Sequence, residues 1–254
     1  MSAAAGVDGC RAGWIVAFGE PSAQPRIGIF RRFDELVDAL PDDAVIAVDM
    51  PIGLPDRCGA GGRGPEGLVR PLLGMRQSSV FSIPSRKAVY ATEGWQIGSD
   101  AGPDEGWAAA HRHASEVARQ TSDPPRGVSI QAFGLFAKIR EIDTLLRERD
   151  GLAERVFESH PELCFWRLNG HRALDMPKKV KGVIHQPGMA ERRALLYAVG
   201  IEADLSPPRG AGEDDLLDAL AVLTAARNRI EGKSLCFSDA PGRDSHSLPI
   251  CITC

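Results

Sequence analysis

Three carboxylates of this chain end apolar runs. Asp8 follows Ala5-Gly6-Val7, Asp49 closes Ala44-Val45-Ile46-Ala47-Val48, and Glu158 closes Arg155-Val156-Phe157. Two more, Asp215 and Asp218, lie three apart in Glu213-Asp214-Asp215-Leu216-Leu217-Asp218-Ala219-Leu220-Ala221, so on a helix they share a face. Acids in a first helical turn complement the helix dipole, which accounts for Asp214 and Asp215 without any function. Asp218 sits a turn further in, among Leu and Ala, where a charge needs a partner. A divalent cation is one such partner. Carboxylates around one point repel unless a cation joins them, and Mg²⁺ or Mn²⁺ is the hard ion that oxygen ligands prefer. Two such ions about 4 Å apart can activate water and stabilise a leaving oxygen in phosphodiester hydrolysis. The competing reading is structural: Asp8 and Asp49 cap the turns that follow their strands, and Glu158 is a surface acid at a strand end.

For these acids to meet, their elements must belong to one sheet. Ala12 to Phe18 reads as a strand, and Arg26 to Phe33 alternates well enough to return beside it. Asp34 to Leu40 reads as a short helix stopped by Pro41. Ala44 to Val48 is a continuous apolar run of the kind buried on both faces. With the lead-in to Asp8, the order is strand, strand, strand, helix, strand, which predicts a mixed α/β sheet flanked by helices. From about Pro55 to Arg126, Gly, Pro, Arg and Ser dominate with weak periodicity, as in an insertion after the fourth strand, packed over one end of the sheet. Further helices are predicted over Ser129 to Arg149, Glu191 to Val199 and Glu213 to Ile230, and a strand over Arg155 to Glu158. Residues 1–236 then form one domain, with its insertion at about 55–126, and 237–254 a loosely held tail.

Five separated stretches resemble the DUF429 family in order: Val7-Asp8-Gly9-Cys10-Arg11-Ala12-Gly13-Trp14; Val48-Asp49-Met50-Pro51-Ile52-Gly53-Leu54-Pro55; Ser78-Ser79-Val80-Phe81 with Pro84 and Arg86; Phe157-Glu158-Ser159-His160-Pro161-Glu162; and Asp215-Leu216-Leu217-Asp218-Ala219-Leu220-Ala221. The resemblance runs from about Gly6 to Arg227. That family is regarded as predicted nucleases of the ribonuclease H-like superfamily, so the resemblance implies that fold and a two-metal acidic site for Mg²⁺ or Mn²⁺. Asp8, Asp49 and Asp218 would hold the metals, with Asp215 and Glu158 completing the catalytic set.

Arg57, Arg63, Arg70, Arg76, Arg86 and Lys87 face Glu66 alone among the acids of their segment, and Lys178, Lys179, Lys181, Arg192 and Arg193 form a second basic group. Near the acids these would bind the phosphates of a nucleic acid, of a type the sequence leaves open, with Arg70, Arg76, Arg86 and Lys178 the candidates. The bland alternative is a solvated loop and a charged helix face. His160 reads first as a support of the turn before Pro161 and second as a proton shuttle or phosphate ligand. Lys138, Glu141 and Asp143 read first as a salt-bridged surface and second as a support for the site.

With 254 residues, 43% hydrophobic and 25% charged, and a formal charge of −4, the chain is neither disordered nor a small disulfide scaffold. Its six cysteines are scattered, the closest pair being Cys251 and Cys254 at the C-terminus. No window approaches a membrane span and no leader pattern is evident, so a cytoplasmic protein with free thiols is expected, and a homodimer is left open. Two rivals remain beside a nuclease: a binding module for nucleic acid or a partner on the same fold, and an actin-like ATPase relative. The latter needs a second domain and a second phosphate-binding turn, and neither is found.

Overall fold

The apolar runs form β1 (Ala4–Cys10), β2 (Gly13–Gly19), β3 (Arg26–Phe30), α1 (Phe33–Ala39) and β4 (Val45–Val48), in the order the pattern predicts. This computed structural model describes residues 2–94, 103–239 and 242–254. After β4 come α2 (Pro65–Val69), a 3₁₀ segment (Arg70–Ser79), α3 (Arg86–Tyr90) and α4 (Pro103–Gln120). Next are α5 (Ile130–Gly134), α6 (Phe136–Glu148) and α7 (Leu152–Arg155), then β5 (Val156–Glu158) and α8 (Pro161–Leu168). A two-stranded ribbon, β6 (Lys179–Val180) and β7 (Val183–Ile184), precedes α9 (Gln186–Ala198) and α10 (Glu213–Ile230). The chain ends in β8 (Cys236–Phe237) and β9 (Ile252–Thr253).

The main sheet has five strands in the order β3-β2-β1-β4-β5. β2 is antiparallel to β1 and β3, whereas β4 is parallel to β1 and β5. It is thus the expected mixed sheet, and both its faces are covered. Alternation along the strands sends Ala5, Val7, Trp14, Val16, Ile46 and Val48 into a core with α1 and α3 to α6. Ala4, Ile15, Ala17, Ala47 and Phe157 enter a second core with α8, α9 and α10. Among the described residues, no helix is long and apolar enough to cross a membrane.

Several expectations change. The helix predicted over Ser129 to Arg149 is two, broken at Leu135, which ends α5 and starts α6. The segment read as weakly periodic contains the long helix α4, whose buried side chains include Ala110, Ala114 and Ala118. The segment expected to be a loose tail is built in: Leu248, Ile250, Ile252 and Cys254 are buried, and β9 pairs with β8. That pairing brings together Cys236 and Cys251, which form a disulfide, so the expectation of free thiols holds only for Cys10, Cys58, Cys164 and Cys254.

Candidate metal centre

Alternation along β1 puts Asp8 on the same face as Ala4 and Gly6, the face that α10 covers. Gly6 brings that helix in. A Cβ there would lie 2.2 Å from the Leu223 backbone nitrogen and 2.3 Å from the Ala219 carbonyl oxygen. Only a residue without a side chain allows so close an approach. Asp218, next to Ala219, is thereby held at the end of β1 that carries Asp8. Val48 pairs in register with Val7, and the Asp49 N–H donates to the Val7 carbonyl at 2.8 Å. Asp49 falls two residues after Ala47, on the same face.

One carboxylate oxygen from each of Asp8, Asp49 and Asp218 can be chosen so that all three lie within 4.8 Å of one another. Asp8 and Asp218 are buried and Asp49 is half-buried. Asp8 Oδ1 accepts the Gly9 N–H at 2.6 Å, and Asp218 Oδ2 accepts from Lys178 Nζ. Asp218 Oδ1 is buried and has no hydrogen-bond partner. Burial, reinforced by Asp49 and Asp218, holds Asp8 well above the ordinary carboxylate range. Burial also lifts Asp49 to about 7 and Asp218 to about 6, each against the pull of Lys178. Burial works against the Lys178 ammonium in turn, but Asp218, Asp8 and Asp49 outweigh it and raise its pKa above the usual lysine value.

A set of oxygen donors with an unpartnered buried oxygen among them fits a hard divalent cation. Oxygens bound to one Mg²⁺ at 2.0–2.1 Å stand no more than about 4.2 Å apart, so a small inward movement would seat the ion. Asp8 and Asp49 also line a cavity of about 210 Å³ whose walls include Ser79, Lys138, Glu158 and His160.

Glu158 lines that cavity from the other side of the sheet. It pairs in register with Val48, and paired residues of parallel strands share a face, so its carboxylate points away from Asp49. There Arg63 grips it, Nη2 to Oε1 at 2.6 Å and Nη1 to Oε2 at 2.9 Å, and the Ile52 N–H donates to Oε2 at 2.7 Å. Burial pushes Glu158 up to about 7, with Arg63 pulling it down. It is not one of the three clustered acids. Asp215 accepts the Gly212 N–H at 2.8 Å, the capping role that its position in the first turn of α10 predicts, and adds negative charge near Asp8.

The basic residues are more committed than their sequence grouping implies. Arg70 donates to the carbonyls of Val80 and Gly61 and to Ser82. Arg86 is spent on Asp143 and Asp244. Arg76, half-buried, has an Nε without a partner. Of these four candidates Lys178 reaches the acids. In the second group, Lys179 pairs with Asp214, Arg192 with Glu162 and Arg193 with Glu213. Of Lys138, Glu141 and Asp143, Asp143 is salt-bridged, to Arg86 and Arg147, but buried, whereas Lys138 lies over the Trp14 ring and lines the cavity with Asp8, and Glu141 accepts the Trp14 indole N–H.

Glu162 is a neighbour that strand-end reasoning passes over. Its charge raises both Asp49 and Asp218, one of its oxygens binds Arg192 at 2.5 Å, and the other is buried without a partner. The signal lay in Glu158-Ser159-His160-Pro161-Glu162, where Pro161 starts α8 and puts Glu162 in its first turn. His160 is kept neutral by burial, with Nε2 3.4 Å from the Ser79 carbonyl oxygen, as befits a support of the turn.

A family model described as a protein of unknown function, DUF429, matches residues 6–243. No curated protein and no solved structure matches the chain.

Proposed function

We propose that this chain, which belongs to the DUF429 family, is a divalent-metal-dependent hydrolase of phosphodiester bonds in nucleic acid, built on a ribonuclease H-like domain. The observation that carries the reading is the cluster of Asp8, Asp49 and Asp218, drawn from two parallel strands and a helix, with Asp218 Oδ1 buried and unpartnered. The order of three antiparallel strands, helix and parallel strand supports the fold assignment.

Asp8, Asp49 and Asp218 would hold Mg²⁺ or Mn²⁺, which when bound supplies an activated water and a counter-charge for the leaving oxygen. Around it the chain's residues act by position. Asp49, half-buried, and Asp8 line the cavity, and Asp218, brought by α10, completes the cluster. Glu162, ion-paired to Arg192, fixes the electrostatic background behind Asp49 and Asp218. The half-buried Arg76 is the cation of the 3₁₀ segment left to meet a phosphate, since Arg70 in that segment and Arg86 at the start of α3 are engaged elsewhere.

Incubation of the purified protein with single strands, duplexes, hybrids and junctions tests the reading. Cleavage is expected with Mg²⁺ or Mn²⁺ and not with chelator, and Asp8→Asn should lower the rate at least ~100-fold, as loss of a group that holds transition-state charge does. Cleavage that survives that substitution, or none on any substrate, overturns it. A second reading, a module that binds nucleic acid or a partner without cutting, draws on the Lys178–Asp218 pair, which already supplies the acids with a cation.

A further inference from the structure

We propose that the acidic centre is built for a single divalent ion, with the Lys178 ammonium permanently occupying the second cation position. This rests on the metal-centre reading above and replaces the two-ion arrangement that the family resemblance implies.

The first argument is the use of oxygens. Two ions share a site by being bridged, which takes both oxygens of at least one carboxylate. Here one oxygen of Asp8 and one of Asp218 are already engaged, since Gly9 donates to Asp8 Oδ1 at 2.6 Å and Lys178 donates to Asp218 Oδ2, so of the three acids only Asp49 keeps both oxygens free to bridge. Asp218 is left with one free oxygen, and it is the buried unpartnered Oδ1. One oxygen each from Asp8, Asp49 and Asp218 makes three ligands, half of an octahedral shell, with the remainder for water and substrate.

The second argument is charge. The three ionised acids and Lys178 together leave two negative charges, and Asp215 near Asp8 is offset by Lys138 on the cavity wall, so one divalent ion cancels the sum. Glu162 does not alter this, because Arg192, equally buried, pairs with it. A second ion would leave two uncompensated positive charges beside the buried Asp8 and Asp218, an expensive arrangement at low dielectric.

The third argument is anchorage: Lys178 is delivered by a braced segment. Arg192 donates to the Met176 carbonyl at 3.1 Å, and the Lys178 carbonyl accepts the His185 N–H at 2.9 Å. Lys179 pairs with Asp214 and with Ile184 across the ribbon. At Gly188 a Cβ would stand 2.0 Å from the Pro177 carbonyl oxygen, so α9 packs flush against the residue before Lys178. A lysine meant only to neutralise an empty site would not need its backbone held on both sides.

Calorimetry and electron paramagnetic resonance of the purified chain titrated with Mn²⁺ alone test this. One ion per chain, with the spectrum of isolated Mn²⁺, is expected. Lys178→Gln, which frees Asp218 Oδ2 and removes a positive charge, should admit a second ion and give the spectrum of a spin-coupled pair. Lys178→Arg should keep one ion. A coupled pair in the unaltered protein, or a single ion in both the unaltered protein and Lys178→Gln, overturns the proposal while leaving the metal centre in place. Absence of bound Mn²⁺ overturns the metal-centre reading and this proposal with it.

Discussion

Asp49 and Asp218 hold their protons more tightly in the fold than in the unfolded chain, because burial disfavours their charged forms and outweighs Lys178. The sign of the consequence follows. A carboxylate whose pKa is raised on folding stabilises the fold fully below its unfolded value, and that contribution is lost as pH rises through its folded value. With folded values of about 7 and about 6, the metal-free protein should lose on the order of a few kcal/mol between about pH 4 and about pH 8. Bound Mg²⁺ replaces the protons, so saturating metal should remove the decline. Thermal unfolding across that range, with chelator and with Mg²⁺, checks both halves, and a Tm that ignores Mg²⁺ at the upper end would count against the site. At this scale the sequence was informative about Asp8, Asp49 and Asp218, because an acid after an apolar run, or inside one, is a local anomaly. It was silent on which way Glu158 points, since a strand of three residues has too little alternation to assign a face. Lys178 and Asp218 are 40 residues apart, and no local pattern ties them.

The elements matter because the site is assembled by helix–strand contact. α10 brings Asp218 to Asp8 by lying flush on β1 at Gly6, so that glycine is a positional requirement of the metal centre without touching it. Gly6→Ala sets a Cβ against backbone atoms of Ala219 and Leu223, which cannot rotate away, and α10 must shift outward. Overpacking of this kind costs ~1–3 kcal/mol, or more where backbone is involved. The expected result is a protein with a lower urea midpoint and weaker Mn²⁺ binding, although every acid is intact. Normal Mn²⁺ affinity in Gly6→Ala would detach Asp218 from the site. Element boundaries were legible where polar and apolar residues alternate strongly: β1 to β4 appear in the expected order, and α10 has the expected ends, Glu213 and Ile230. They were obscured where the buried stripe is alanine, as in α4, because Ala110, Ala114 and Ala118 give little hydrophobic contrast. Prolines misled as well. Pro161 reads as the stop after a strand, yet it opens α8, and Pro187 stands second in α9, which starts at Gln186, five residues before the expected Glu191. The missing N–H of proline costs nothing in a first helical turn.

Across the whole molecule, a formal charge of −4 coexists with two basic groups in the sequence, and the fold determines what those groups can do. Arg63, Arg86, Lys178, Lys179, Arg192 and Arg193 are paired with acids of the same chain, several of them distant in sequence: Arg86 meets Asp244 and Arg63 meets Glu158. The C-terminal segment, unremarkable as a sequence, supplies Asp244 and packs Pro249 against Gly53, where a Cβ would lie 2.5 Å from the Pro249 carbonyl oxygen. Such long-range pairings are invisible to composition, which counts charges but not their partners. Of these two groups Arg57, Arg70, Arg76, Lys87 and Lys181 are left outside such ion pairs, and Arg70 is held by Gly61, Val80 and Ser82. If only one or two of the rest reach the strand, a nucleic-acid complex on this surface should owe little to counterion release. Each phosphate neutralised contributes a slope of about −0.9 to the dependence of log affinity on log salt, so one or two free contacts predict a slope of about −2 or shallower. Affinity should then fall only about tenfold between 50 and 200 mM salt. Fluorescence anisotropy of a labelled strand, with Ca²⁺ replacing Mg²⁺ so that the strand stays whole, measures that slope. A value near −6 would mean that the internal ion pairs open on binding and release their arginines and lysines to the phosphates. A shallow slope with metal-dependent affinity would mean that the acidic centre, rather than a basic surface, holds the strand.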